Sequence, residues 1–163
     1  MKKMNNSKSI NVLAKISIVA ALYVVITYAI APISYGPIQV RISEALVLLA
    51  FFDKKYIISL TIGCLIANLL SPLGMIDVVV GTLGTFFSVY AISKTKNLFL
   101  ATLWPSFFCI PVVFILHIFV GLPFMLYLFG FIAGEFLSVT IIGYPLVKFV
   151  MKNETLLETI KLI

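Results

Sequence analysis

Apolar residues run almost without a break along this chain, and short clusters of charge, proline and glycine divide the runs. The runs predict membrane-spanning helices at about 10–31, 42–52, 56–70, 77–92, 98–120 and 124–151, with a polar tail over 152–163. The second is short: Arg41 to Phe52 covers about 12 residues, roughly 18 Å at ~1.5 Å per residue against ~30 Å of hydrocarbon. If Asp53, Lys54 and Lys55 mark one membrane surface, the loop 32–41 before this helix dips inward. Irregular backbone at that depth is tolerated only where protein or a water-filled cavity takes its polar groups. Pro32 and Pro37 stiffen the loop, and Gly36 admits a turn that other residues resist.

Composition agrees with the pattern. The chain is 62% apolar and 11% charged, with a mean hydropathy of +1.17, against roughly 25% charged in soluble domains. The expected fold class is all-α: one multi-pass integral membrane bundle of six helices over residues 1–163. The net charge of +6 does not imply nucleic acid, because the lysines cluster at 2, 3, 8 and 15, at 54 and 55, at 94 and 96, and at 148, 152 and 161. Each group adjoins the end of an apolar run, and the loops 32–41, 71–76 and 121–123 contain no lysine. This positive-inside pattern predicts both termini in the cytoplasm. The lysines ahead of an apolar stretch, and Ala29-Ile30-Ala31, imitate a signal peptide. However, the run from Ile16 to Ala31 is long for one and Pro32 would follow the cut, so the first helix is expected to stay. Cys64 and Cys109 fall mid-helix as small hydrophobes, and no metal-ligand spacing occurs.

Two stripes of small residues, Ser59, Gly63, Ala67 and Ser71 in the third helix and Gly81, Gly84, Thr85 and Ser88 in the fourth, read as faces for close helix packing. Pro105 and Pro111 should bend the fifth helix, to shape a cavity or to fit the bundle.

The polar residues inside the apolar runs carry the candidate chemistry. Arg41, the single arginine, and Glu44 begin the second helix, Asn68 ends the third, Asp77 begins the fourth, His117 ends the fifth, and Glu135 lies deep in the sixth. Ionisable groups in a membrane are costly and face a bundle interior or a wet cavity, so together these residues predict a site open to the outside. Each also has a structural reading. Arg41 and Glu44 at i and i+3 can pair with each other. Asp77 can favour a helix start, Asn68 can bond a neighbouring helix, and His117 can be a satisfied interfacial residue. Glu135 has no lysine or arginine within a turn or two. Three acids and one arginine favour a small, donor-rich solute, neutral or cationic, over a phosphate or polyanion. A carboxylate matches the adjacent NH groups of a guanine-like ring, and Tyr23, Tyr28, Tyr35 and Tyr127 offer faces to a planar solute. Motifs of metalloproteases, serine hydrolases and P-loop ATPases are missing. A proton relay through His117 and Glu135, or an acid–base pair of His117 with Asp77 acting on a lipid, are the alternatives.

The segments "APISYGPIQVRISEALVLLAFF" and "KKYIISLTIGCLIANLLSPLGMIDVVVGTLGT", with the later "GEF" and "GYPL", resemble the QueT family of queuosine-precursor transporters over nearly the whole chain. That family belongs to the substrate-capture subunits, or S components, of energy-coupling factor (ECF) importers in bacterial cell membranes. The resemblance implies six helices and an outward-facing pocket. It also implies uptake of 7-aminomethyl-7-deazaguanine, 7-cyano-7-deazaguanine or queuine; other S components carry vitamins and other small solutes on the same scaffold. The implied partners are a membrane coupling subunit and two ATPases that use the ATP, with no cofactor bound by this chain. On this reading Pro32 to Val40, with Tyr35, Gly36, Pro37 and Gln39, form a lid anchored by Arg41 and Glu44. Glu135 takes the donor edge of the ring, and Asp77 and Asn68 add polar contacts. The docking face on the first helix would be Ala14, Ser17 and Ala21, at spacings of 3 and 4 rather than the family's A-x-x-x-A. In the tail, Leu156, Leu157, Ile160 and Ile163 share one side if helical, and are expected to lie on the inner membrane surface, with the partner as the alternative.

Overall fold

A computed structural model describes residues 2–36 and 38–162, with side chains from Ser9 onward; Met1, Pro37 and Ile163 lie outside the described residues. Every regular element among the described residues is helical. In order these are α1 (Lys2–Ala29), α2 (Ala31–Ser34), a 3-10 helix (Ile42–Phe51), α3 (Tyr56–Asn68), α4 (Gly74–Lys94), α5 (Leu98–Val120) and α6 (Phe124–Glu135). A π-helical segment (Phe136–Gly143), α7 (Tyr144–Lys152) and α8 (Glu154–Ile160) complete the chain. Ser9–Ala29, Gly74–Lys94, Leu98–Val120 and Phe124–Lys152 are long and apolar enough to cross a membrane, and Ile42–Phe51 and Tyr56–Asn68 are shorter apolar helices. Large apolar side chains such as Leu13, Ile18 and Val25 on α1, Phe107, Phe114 and Ile118 on α5 and Phe129 on α6 point outward. So much exposed apolar surface requires lipid around it, and the chain is a multi-pass helical membrane protein.

α1 begins at Lys2, ahead of the apolar run that starts near residue 10, and there are two internal departures. The short second helix is a 3-10 helix, about 20 Å long at ~2.0 Å per residue. At three residues per turn, side chains at i and i+3 eclipse, so Arg41, Glu44, Val47 and Ala50 form one ridge, and all four are buried. The last long helix changes type directly after Glu135, where eight residues run as π-helix before α7 resumes. The two irregular segments lie against each other. A Cβ on Gly143 would come within 3.1 Å of Leu48 Cδ1 and 3.3 Å of Ala45 Cα, so this glycine permits the contact.

The stripe on α3 packs as expected: Ser59 donates to Ile16 O at 2.6 Å, and Gly63 lets Tyr23 and the Ala20 carbonyl approach from α1. Pro105 and Pro111 both lie inside the continuous α5. α4 begins at Gly74, which adopts φ 75°, rather than at Asp77, so Asp77 sits inside the first turn and does not cap it.

The tail departs from expectation. It folds back on the lysine-bearing end of the bundle. Lys15 Nζ donates to Thr159 O at 2.7 Å and Lys161 O at 3.2 Å, Tyr56 OH to Ile160 O at 2.7 Å, and Lys55 Nζ to Leu162 O at 2.6 Å. Leu162 is buried in the main apolar cluster and Ile160 packs on it, while Leu156 remains exposed. The physical reason is that the carbonyls in the last turn of α8 and just after it lack helical partners, and Lys15, Lys55 and Tyr56 satisfy them. Truncation after Lys152 is therefore expected to cost about 1–2 kcal/mol net of chain ordering. In a detergent melt this lowers the midpoint by roughly 2–8 °C; an unchanged midpoint would mean the tail is only resting there.

Candidate functional site

One cavity gathers most of the buried charge. Its walls are Gln39 of the loop, Arg41 and Glu44 of the 3-10 ridge, Asp77, Gly81, Gly84, Thr85 and Ser88 of α4, Pro105, Phe108, Cys109 and Val112 of α5, and Phe131 and Glu135 of α6. It encloses about 390 Å³ of non-atom space, its open mouth included, and most of that is narrow, so a ligand larger than a water must part the walls to enter.

The arginine and the acids are held from different helices. Arg41 Nε donates to Ser34 O at 3.3 Å, Nη2 lies 3.8 Å from Asp77 Oδ2, and the guanidinium sits 5.3 Å from the centre of the Tyr35 ring. Asp77 Oδ2 also accepts from Ser71 Oγ at 2.5 Å. Glu44 accepts from the Tyr23 phenol of α1. The i, i+3 pairing of Arg41 with Glu44 thus gives way to Arg41 with Asp77, because α1 supplies Glu44 with a different partner. Glu135 Oε2 is buried and finds no hydrogen-bond partner among the described residues, as is true of Arg41 Nη2 and Asn68 Oδ1.

Of the residues singled out from the sequence, Arg41, Glu44, Asp77, Glu135 and Gln39 meet at this cavity. Asn68 lies behind its wall. It is fully buried, its Nδ2 donates to Cys64 Sγ at 3.4 Å within its own helix, and a Cβ on Gly81 would come within 2.9 Å of that nitrogen. The structure leaves His117 outside: exposed at the end of α5, its Nδ1 pairs with Leu122 O at 2.7 Å. Neither a His117–Glu135 relay nor a His117–Asp77 pair is assembled. Among the described residues no group of His, Cys, Asp and Glu is arranged to hold a metal ion.

In the loop, Tyr35 OH donates to Ala67 O at 2.5 Å. Burial pushes this phenol up to about 12 against the pull of Arg41, so it stays a neutral donor. Pro32 lies in α2 and Pro37 lies outside the described residues. Gly36 does not use the freedom expected of it: its φ is not positive, and a Cβ there would meet nothing closer than Pro32 O at 3.4 Å. The glycine that the loop requires is Gly134, where a Cβ would fall 2.2 Å from Gln39 O. Its signal in the sequence is its place directly before a mid-membrane acid.

The α4 stripe, read as packing, lines the cavity, although Gly84 also admits Val112 of α5. The aromatic walls are Phe108 and Phe131, which nothing marks among 14 phenylalanines; Tyr23, Tyr28 and Tyr127 are not on the wall. The result is a slot, apolar on the α5 and α6 side and low-relief on α4, with carboxyl groups around it. Carboxyl groups accept hydrogen bonds, and the aromatic faces suit a flat ring. Away from it, Ala14, Ser17 and Ala21 lie exposed along α1.

A family model described as QueT transporter matches residues 13–152. The chain is also similar to the Queuosine precursor transporter QueT of Lactococcus lactis subsp. cremoris (strain MG1363). The two are 54% identical over 84 residues, which is 50% of this chain and 48% of that protein, so the match spans about half the length of the relative. No solved structure matches the chain.

Proposed function

The chain belongs to the QueT transporter family, and from that premise we propose that it is the substrate-capture subunit of an ECF-type importer for a 7-deazaguanine queuosine precursor. The observation that carries this reading is the buried, unpartnered Glu135 Oε2 in a slot with aromatic and glycine walls. A carboxyl group there offers two acceptors to the adjacent NH donors of a guanine-like edge, while Phe108 and Phe131 flank the ring. Arg41 and Asp77 hold the start of the 3-10 ridge, and Gln39 brings the loop onto the cavity as a lid. Membership of a transporter family argues against an enzyme. With no P-loop in the sequence, ATP is used by two partner ATPases through a membrane coupling subunit.

The lysine distribution supports six crossings in the bacterial cell membrane with both termini inside, the 3-10 helix and α3 counting as short crossings. The small face Ala14, Ser17 and Ala21, open along α1, supports docking of the coupling subunit there.

The test is equilibrium binding of 7-aminomethyl-7-deazaguanine, 7-cyano-7-deazaguanine, queuine and guanine to the purified protein, paired with uptake in cells. Binding of a deazaguanine, and uptake that needs the ATPases and survives collapse of the proton gradient, are expected. Binding of a vitamin in place of every deazaguanine would overturn the substrate. Uptake without the ATPases would overturn the coupling.

A further inference from the structure

Glu44 owes its position at the cavity to a residue that does not touch the cavity. Tyr23 is fully buried in α1 at the point where α1 meets α3: a Cβ on Gly63 would lie 3.0 Å from Tyr23 Cβ. Its phenol donates to Glu44 Oε1. One turn later Thr27 Oγ1 donates to Tyr23 O at 2.8 Å and shares a 2.6 Å hydrogen bond with Ser43 Oγ. A hydroxyl has one hydrogen. With Thr27's committed to Tyr23 O, Ser43 is the donor in that pair. α1 and the start of the 3-10 helix are therefore joined by two buried hydrogen bonds, one through each of the neighbours Ser43 and Glu44.

A glutamate has three side-chain torsions, and a carboxylate that must meet a ligand at fixed distance needs them held by its surroundings. Gly63 and the α3 backbone fix the Tyr23 ring, and the ring fixes the phenol oxygen. We propose that Tyr23 is a positioning residue, whose phenol holds Oε1 of Glu44 so that Oε2 is presented to the ligand. This rests on the cavity being the substrate site and adds a residue from α1 to its recognition.

Tyr23→Phe keeps the ring that packs at Gly63 and removes only the donor. A double-mutant cycle with Glu44→Gln separates positioning from packing. Tyr23→Phe is expected to weaken binding of 7-aminomethyl-7-deazaguanine about five- to tenfold in the wild-type background and less than about twofold beside Glu44→Gln. The same factor in both backgrounds would overturn the proposal. A readout without ligand is the infrared carboxyl band of Glu44, identified as the band that Glu44→Gln removes. That band is expected to shift in Tyr23→Phe, and an unmoved band would overturn the proposal. If the wild-type protein binds no deazaguanine, the substrate reading falls while the infrared band still decides the role of Tyr23.

Discussion

Replacing Glu135 with glutamine is expected to weaken binding of a 7-deazaguanine roughly ten- to a hundredfold or more while leaving the unliganded protein as stable as before, or more so. Glu135 Oε2 is buried with no hydrogen-bond partner among the described residues, and the ion pair present there is Arg41 with Asp77. An acid buried without a partner adds no stability in either protonation state, and an amide of the same shape removes no bond, so the unliganded protein should lose nothing. A ligand edge that donates to it supplies the missing partner, and losing one charge-assisted bond costs about 1.5–3 kcal/mol. Glutamine keeps the shape but turns an NH₂ group toward donors that need acceptors. The opposite signs are the diagnostic: calorimetric titration should show affinity lost while the melting midpoint holds or rises. A variant that loses both in proportion would make Glu135 a structural residue and move the donor edge of the ligand elsewhere.

The acids were legible because charge inside an apolar run is costly enough to need a reason. Their partners were not, because sequence position gives depth along a helix and no direction around it. His117 and Asn68 have the right depth; one faces out at the end of α5 and the other sits behind Gly81. The helices followed from the apolar runs, yet their types did not. Arg41, Glu44, Val47 and Ala50 share a ridge only at three residues per turn, and with apolar residues on every side no periodicity reveals the change. The same applies to the π segment after Glu135. The α4 stripe was ambiguous in principle: small residues admit a neighbouring helix or leave room for a ligand, and here Gly84 contributes to both. The tail read as an amphipathic anchor because its partners, Lys15 and Lys55, lie more than a hundred residues away in the chain.

Gly134→Ala is expected to lower ligand affinity by a comparable factor through a different route. A Cβ at Gly134 would lie 2.2 Å from Gln39 O, 2.6 Å from Gln39 C and 3.1 Å from Val40 N. All three atoms are backbone, so no side-chain rotation relieves the clash, and either the loop or α6 must shift. Gln39 and Glu135 line the same cavity, so the shift separates the loop from the wall that carries Glu135. Overpacking of this kind costs about 1–3 kcal/mol of stability, and the share borne only by the liganded state, at most a factor of roughly 5 to 150, appears in affinity. On the proposed reading of the loop as a lid, the loss should appear as faster release with little change in association. Gly36→Ala, in the same loop, is the matched control: its Cβ would be 3.4 Å from Pro32 O, an ordinary contact, and affinity should stay within about twofold of wild type. Stopped-flow release rates for the two variants separate a loop seated on α6 from one that is merely nearby. Equal rates for Gly134→Ala and the wild-type protein would mean that the loop does not hold the ligand.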